Sequence, residues 1–239
     1  MFRLDKSSVK RIQLEGFQMD YVVERRDVRN ARIEFKTDGF HVILPRNIRD
    51  ETDLIKKSKE WIIKAYRRYE SQRNSYPHMD DKFPVFGEDY TIIVDEGFRC
   101  FEVDPDQKLI RVRSLEALKP FKAYLKRILM DKLAAIIGGL PAGIDKRYNK
   151  IYIRNQRRRW ASCSSDRNLS FNLKMASLPE NLIEYVVYHE LMHFRVKRHN
   201  SDFYRLISER YGDYRSIRKK LNSYFIGLSG NRFWRILGL

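Results

Sequence analysis

The chain has only two cysteines, Cys100 and Cys163, among 239 residues. Two thiols cannot build a four-thiolate metal site, and a disulfide between them is disfavoured in a reducing compartment, so both are expected as small, half-buried thiols. Long apolar runs are missing too. None approaches the roughly 20 residues a bilayer span needs, and no membrane partner is expected. Residues 1–6 lack the apolar stretch of a secretory signal, so the expected location is cytoplasmic. The sequence also lacks internal repeats, low-complexity tracts, a Gly-rich phosphate loop and an acidic cluster suited to magnesium.

What is present suits a folded enzyme. Hydrophobic residues make up 43% and aromatics 13%, enough for one well-filled core or a core with a smaller lobe. Lys and Arg number 48 against 31 acidic residues, a net charge of +17 that concentrates anions near the surface. Nucleic acid or a nucleotide is therefore a candidate partner. The basic residues are scattered, as in Lys56-Lys57, Arg157-Arg158-Arg159 and Arg218-Lys219-Lys220, which is a weaker signal than one dense stripe.

Residues 11–26 and 31–44 carry the β-branched and aromatic residues of strands, with Gly39 as a turn signal; the segment from Asp38 ends at Pro45. From about Asp50, Leu54, Trp61, Ile62, Ala65, Tyr66 and Tyr69 recur at helical spacing. Residues 71–84 are polar with two prolines and read as a linker. They divide the chain into residues 1–80, a β-rich region plus helix, and residues 81–239, a catalytic domain, unless both form one continuous unit. His41 in a strand and His78 in the linker have no ligand-spaced partner and read as structural. Strands over 90–94, 98–103 and 109–112, a helix over 115–137 stopped by Gly138-Gly139-Leu140-Pro141, and strands over 151–153, 159–163 and 169–173 complete an α+β pattern.

Ser177-Leu178-Pro179-Glu180 has the form of a capping box with Ser177 as N-cap. Beyond it, Ile183, Val186, Val187, Leu191 and Phe194 form an apolar stripe, predicting a helix over 178–194. His189 and His193, four apart, project from one face of that helix and suit two ligands of one zinc ion. Glu190 points elsewhere and is placed to act as general base toward a metal-bound water. Three of the five histidines fall between 189 and 199. His199 is the favoured third ligand, which requires the chain to leave the helix after Phe194; Glu209 and Asp213 are the carboxylate alternatives. Asn200-Ser201-Asp202 offers the cap of a following helix. Gly212 ends that helix, and Asp213 caps a last one whose face carries Tyr214, Ile217, Leu221 and Phe225. Phe233 and Trp234 in the tail are expected to dock on the body.

The ordered series Arg159-Trp160-Ala161-Ser162-Cys163-Ser164-Ser165, Leu169-Ser170-Phe171-Asn172, Leu178-Pro179, Tyr185 through His193, and His199-Asn200-Ser201-Asp202-Phe203-Tyr204 resembles the YgjP-like metallopeptidase domains, relatives of the SprT and WLM zincins. The resemblance extends to Pro45 and Trp61-Ile62 and so covers most of the chain. It implies a zincin-like catalytic domain, its His-Glu-x-x-His helix packed on a small sheet, with His189, His193 and His199 as zinc ligands and Glu190 as catalytic acid/base. Ala161 stands where the family usually has glycine, a methyl that an extended strand tolerates; Asn200 replaces serine, another capping residue. In zincins an edge strand before the active-site helix pairs with the peptide, which points to Leu169, Phe171 and Asn172 as substrate-binding, unless they form an interior strand. Arg159 and Trp160 are candidates for oxyanion stabilisation or substrate stacking, with Trp160 as core residue the alternative. Tyr204, Tyr211 and Tyr214 are further oxyanion-donor candidates.

The expected function is thus a zinc-dependent hydrolase, a metallopeptidase acting on a peptide or protein. A nucleoside triphosphate pyrophosphatase, and a nucleic-acid-associated SprT-like protease or binding module, are the alternatives the charge keeps open.

Overall fold

A computed structural model describes residues 8–36, 39–77, 81–116 and 118–238; residues 1–7, Asp38 and His78 lie outside them. The architecture is α+β, with three sheets and seven α-helices among the described residues. The chain divides into two compact units, Met1–Ser75 and Tyr76–Leu239.

In the first unit, β1 (Ser8–Leu14) and β2 (Phe17–Arg26) form an antiparallel hairpin. Its turn residues, Glu15 and Gly16, both have positive φ (47° and 82°), the backbone hand that matches strand twist in a two-residue turn. β3 (Arg32–Lys36) and β4 (Gly39–Pro45) complete a sheet of order β1-β2-β4-β3. β2 buries alternate residues, Met19, Tyr21 and Val23. β4 lies inside the sheet and is buried from Phe40 to Pro45. The helical pattern after Asp50 resolves into two helices rather than one, α1 (Thr52–Lys57) and α2 (Lys59–Asn74). At the joint, the Ser58 N–H reaches the carbonyls of both Leu54 and Ile55, at 3.0 and 3.2 Å. The break lets Ile55 on one helix and Ile62 on the other share a core with the sheet.

The second unit opens on a sheet of β5 (Phe83–Val85), β6 (Glu88–Val94), β7 (Phe101–Asp104) and β8 (Leu109–Val112), ordered β5-β6-β8-β7. The expected linker is correspondingly shorter: α2 runs to Asn74 and Pro84 lies in β5, an edge strand that tolerates a missing N–H. α3 (Leu118–Gly139) follows, with Phe121, Leu125, Leu129 and Leu133 fully buried at four-residue spacing. It continues through both glycines and ends only before Pro141.

β9 (Ile151–Arg154), β10 (Ala161–Cys163) and β11 (Leu169–Asn172) form the third sheet, ordered β10-β11-β9. The strand expected at the edge, β11, is therefore the middle one, antiparallel to β10 and parallel to β9. Its Leu169, Phe171 and Asn172 have no solvent exposure, so the interior of the sheet is where they lose least. A 3-10 helix (Leu173–Ser177) leads to α4 (Glu180–Met192), then α5 (Ser201–Tyr211), α6 (Tyr214–Gly230) and α7 (Arg232–Ile236). The last helix is thus α7, not α6. The Asn231 side chain caps it, and Trp234, fully buried, stacks on Phe83 with ring centres 5.2 Å apart: the aromatic tail docks on its own unit. No helix among the described residues is long and apolar enough to cross a membrane.

Candidate metal centre

The start of α4 is held from outside the helix. Ser177 does not cap it: Pro179 is the N-cap residue, with no side-chain bond, and Leu178 is extended. The Ser177 hydroxyl instead donates to the Pro84 carbonyl (2.8 Å) and accepts from Trp234 Nε1 (2.9 Å), and Glu180 pairs with Lys132 of α3 (2.6 Å). The hydroxyl's proton and one of its lone pairs are thus turned toward β5 and the tail, away from the N–H groups of α4. The β5–β6 turn presses on the same point. Gly87, at φ 86°, leaves room where a Cβ would stand 2.9 Å from Pro179 Cγ.

So anchored, α4 buries Leu182, Ile183, Val186, Val187 and Leu191, and carries His189 and Glu190 in its last turn with His193 as its C-cap. The helix ends sooner than the stripe predicts. The N–H groups of Phe194, Arg195 and Val196 turn back to Leu191 and Met192, at 2.9–3.0 Å, and tighten the terminus. Asn200 then caps α5 by accepting from the Phe203 N–H (3.1 Å), as its position suggested. Between the two helices the loop returns His199 to the face of α4.

The result is a cluster of three imidazoles. Ring centres lie 5.2 Å apart for His189 and His193, 5.0 Å for His189 and His199, and 4.7 Å for His193 and His199. One ligand nitrogen from each falls within 4.8 Å of the others, and His189 Nε2 and His199 Nε2 face each other at 2.9 Å. Neither Glu209 nor Asp213 belongs to this group. Phe203, fully buried, packs its ring 4.7–4.8 Å from all three. His193 Nδ1 donates to the Val196 carbonyl (3.2 Å), which leaves its Nε2 free as an acceptor. His189 and His193 are half-buried and His199 is exposed, so the cluster opens to solvent on one side.

The electrostatics favour neutral donors. Burial, then His193, His199 and Arg218, lower the His189 pKa to about 3. Burial, with His193 and Arg218, also lowers that of His199. Both rings are therefore unprotonated near neutral pH, the form a metal ion needs. No carboxylate joins the cluster among the described residues. Three convergent imidazoles around an apolar floor fit a single divalent ion of borderline softness such as zinc.

Glu190 has a different setting. It is buried, 6% exposed, and accepts the backbone N–H of Cys163 in β10. Burial raises its pKa to about 7, against the opposing influence of Arg159 and of the Cys163 N–H. Burial and Glu190 together raise the Cys163 thiol, and both cysteines are free and half-buried.

The remaining predicted residues fall into two groups. Arg159 is exposed and close enough to Glu190 to act on it electrostatically. Trp160 is not an oxyanion donor: its indole N–H bonds the Leu221 carbonyl (3.2 Å) and its ring packs edge-on against Phe225. Leu169 and Phe171 point into the core rather than toward a substrate. Asn172 ties the preceding loop to the sheet by donating to the carbonyls of Gln156 (2.7 Å) and Arg159 (2.9 Å). Ala161 lies in extended β10 and is not among the residues with positive φ, so its methyl carries no backbone strain. Tyr211 bonds Glu184 (3.2 Å), whereas Tyr204 and Tyr214 stack on each other beside His199. Arg218 and Tyr185, read from sequence only as part of a basic run and of the motif around His189, also stand at the cluster; Tyr185 precedes His189 by one helical turn.

A family model described as YgjP-like, metallopeptidase domain, matches residues 29–224. A search of curated proteins finds no match.

Proposed function

From the premise that the chain belongs to the YgjP-like metallopeptidase family, we propose that it is a zinc-dependent peptidase with His189, His193 and His199 as the zinc ligands and Glu190 as general base. The observation that carries this reading is the convergence of three imidazoles next to a buried carboxylate on the same helix turn. When bound, zinc would supply a Lewis acid that polarises a carbonyl and acidifies a water. The chain's own part begins with Glu190. The Cys163 N–H holds its carboxylate, and burial makes it a stronger base than a solvated one, so it accepts a proton on a carboxylate oxygen and returns it to the leaving amine.

The peptide is held by β10 rather than β11. Trp160 and Ser164 bond across to β11, through Asn172 N–H to Trp160 O (2.7 Å) and Ser164 N–H to Asn168 O (2.9 Å). Antiparallel pairs alternate, so the backbone groups of Ala161 and Cys163 turn the other way, to the free edge that meets Glu190. An extended peptide added there runs past the base. Asn172 and the core-packed Trp160 keep Arg159 beside Glu190.

The test compares zinc-loaded protein with Glu190→Gln on a peptide library and on nucleoside triphosphates. The expected result is peptide cleavage that the variant loses while its zinc content stays the same. Cleavage of triphosphates alone, or full activity in the variant, overturns the proposal.

A further inference from the structure

Beside the triad lies a group of polar side chains to which the mechanism gives no task. Arg218, exposed on α6, donates to Tyr204 Oη (3.4 Å), and its guanidinium stands 5.7 Å from the centre of that ring. Tyr204 in turn stacks on His199, centres 6.1 Å apart, and on Tyr214, 5.1 Å apart. No carboxylate pairs with Arg218 among the described residues, whereas Arg205 bonds Glu209 and Arg210 bonds Glu184. The second observation is Tyr185. This tyrosine is 2% exposed, lies 6.1 Å from His189 by ring centres, and its hydroxyl has no hydrogen-bond partner. That hydroxyl is near enough to Arg218, Tyr204 and Tyr214 to be influenced by each.

Arg159 acts on Glu190, whereas Arg218 acts on His189, His199 and Tyr185. A planar guanidinium without a counter-ion, beside an orphaned buried hydroxyl donor, matches a group with two acceptor oxygens in one plane. We propose that Arg218 and Tyr185 form a subsite for a carboxylate of the peptide substrate, making Arg218 a specificity-determining residue. The carboxylate has two sources, the chain end or an acidic side chain near the scissile bond. The proposal rests on the peptidase reading for the identity of the substrate.

The test uses the zinc-loaded full chain with Glu190→Gln, so that peptides bind without being cut. Three probes are titrated calorimetrically: acetylated tri-alanine with a free carboxylate, the same peptide amidated, and an amidated peptide with aspartate in the middle. The free acid or the aspartyl peptide should bind about tenfold or more tighter than the neutral amide, and whichever does names the source. Adding Arg218→Ala should erase the preference, and Arg218→Lys should restore part of it. Tyr185→Phe should weaken it less. A preference that survives Arg218→Ala, no preference at all, or displacement of the peptides by inorganic phosphate at lower concentration than by acetate overturns the proposal. Hydrolysis by protein with native Glu190 separates the two readings. Cleavage without an Arg218-dependent preference removes only the subsite. An Arg218-dependent preference without cleavage of any peptide removes only the peptidase.

Discussion

His41 in the first unit and His189 in the second both sit on regular elements and withdraw from solvent, but they differ in the company of carboxylates. His41 is 5% exposed, with Nδ1 2.6 Å from Glu24 Oε1, so the protein supplies its hydrogen-bond partner. His189 faces two more imidazoles and a phenyl ring, has an arginine nearby, and keeps an unpartnered Nδ1. A histidine paired with an acid is already satisfied. Three convergent imidazoles with no acid among them leave room for a cation from outside. Burial of a histidine thus says little by itself; what else shares the pocket separates a structural ring from a ligand.

The contrast can be broken most sharply at the two glutamates. Glu190→Gln should lower peptide hydrolysis by about 10²–10⁴-fold with zinc stoichiometry unchanged, while Glu24→Gln leaves the rate within about twofold. Initial rates and metal analysis decide, and equal losses in both variants would end the distinction. Next in size is Phe203→Ala. It removes the floor of the triad and should cost about 3–5 kcal/mol in denaturant unfolding, with weaker zinc binding. Zinc itself should stabilise the wild type and His41→Ala alike, by about 2.7 kcal/mol at a hundredfold excess over Kd, and should leave His193→Ala unchanged. Thermal scans with and without zinc would show it, and a His41→Ala protein deaf to zinc would contradict the assignment.

His189 and Glu190 set a pH dependence in the metal-free protein. The folded pKa of His189 is lowered from 6.5 to about 3, so its contribution is present above pH 6.5 and lost as pH falls toward 3. That of Glu190 is raised from 4.5 to about 7, so its contribution is present below pH 4.5 and lost as pH rises through 7. Unfolding midpoints measured from pH 3 to 8 should flatten on the acid limb in His189→Ala and on the neutral limb in Glu190→Gln. A variant that changes the other limb would reverse the attribution.

Much of this was legible where local chemistry decides. The i, i+4 spacing and apolar stripe of α4, the Asn200 and Asp213 caps, and Gly212 at positive φ all follow from backbone hydrogen bonding within a few residues. Legibility failed where a side chain had two possible partners. Ser177 has the right sequence neighbours for a cap, but Pro84 and Trp234, 93 and 57 residues away, take its hydroxyl. β11 occupies the place before the active-site helix that the resemblance gives to an edge strand, but its partners on both sides are set by pairing across loops. Arg218 looked like any residue on a solvated basic face, because nothing in the sequence shows which arginine lacks an acid.

By itself, the sequence determined that His189 and His193 share one helical face with Glu190 beside them, since a period of 3.6 residues leaves no other arrangement. Tertiary structure alone decided that His199 closes the set, that Glu190 is buried against the Cys163 N–H, and that the free edge near it belongs to β10. Those outcomes depend on which distant groups are brought within a few ångströms of one another, and the strength of a base or the need for a cation is set at that range.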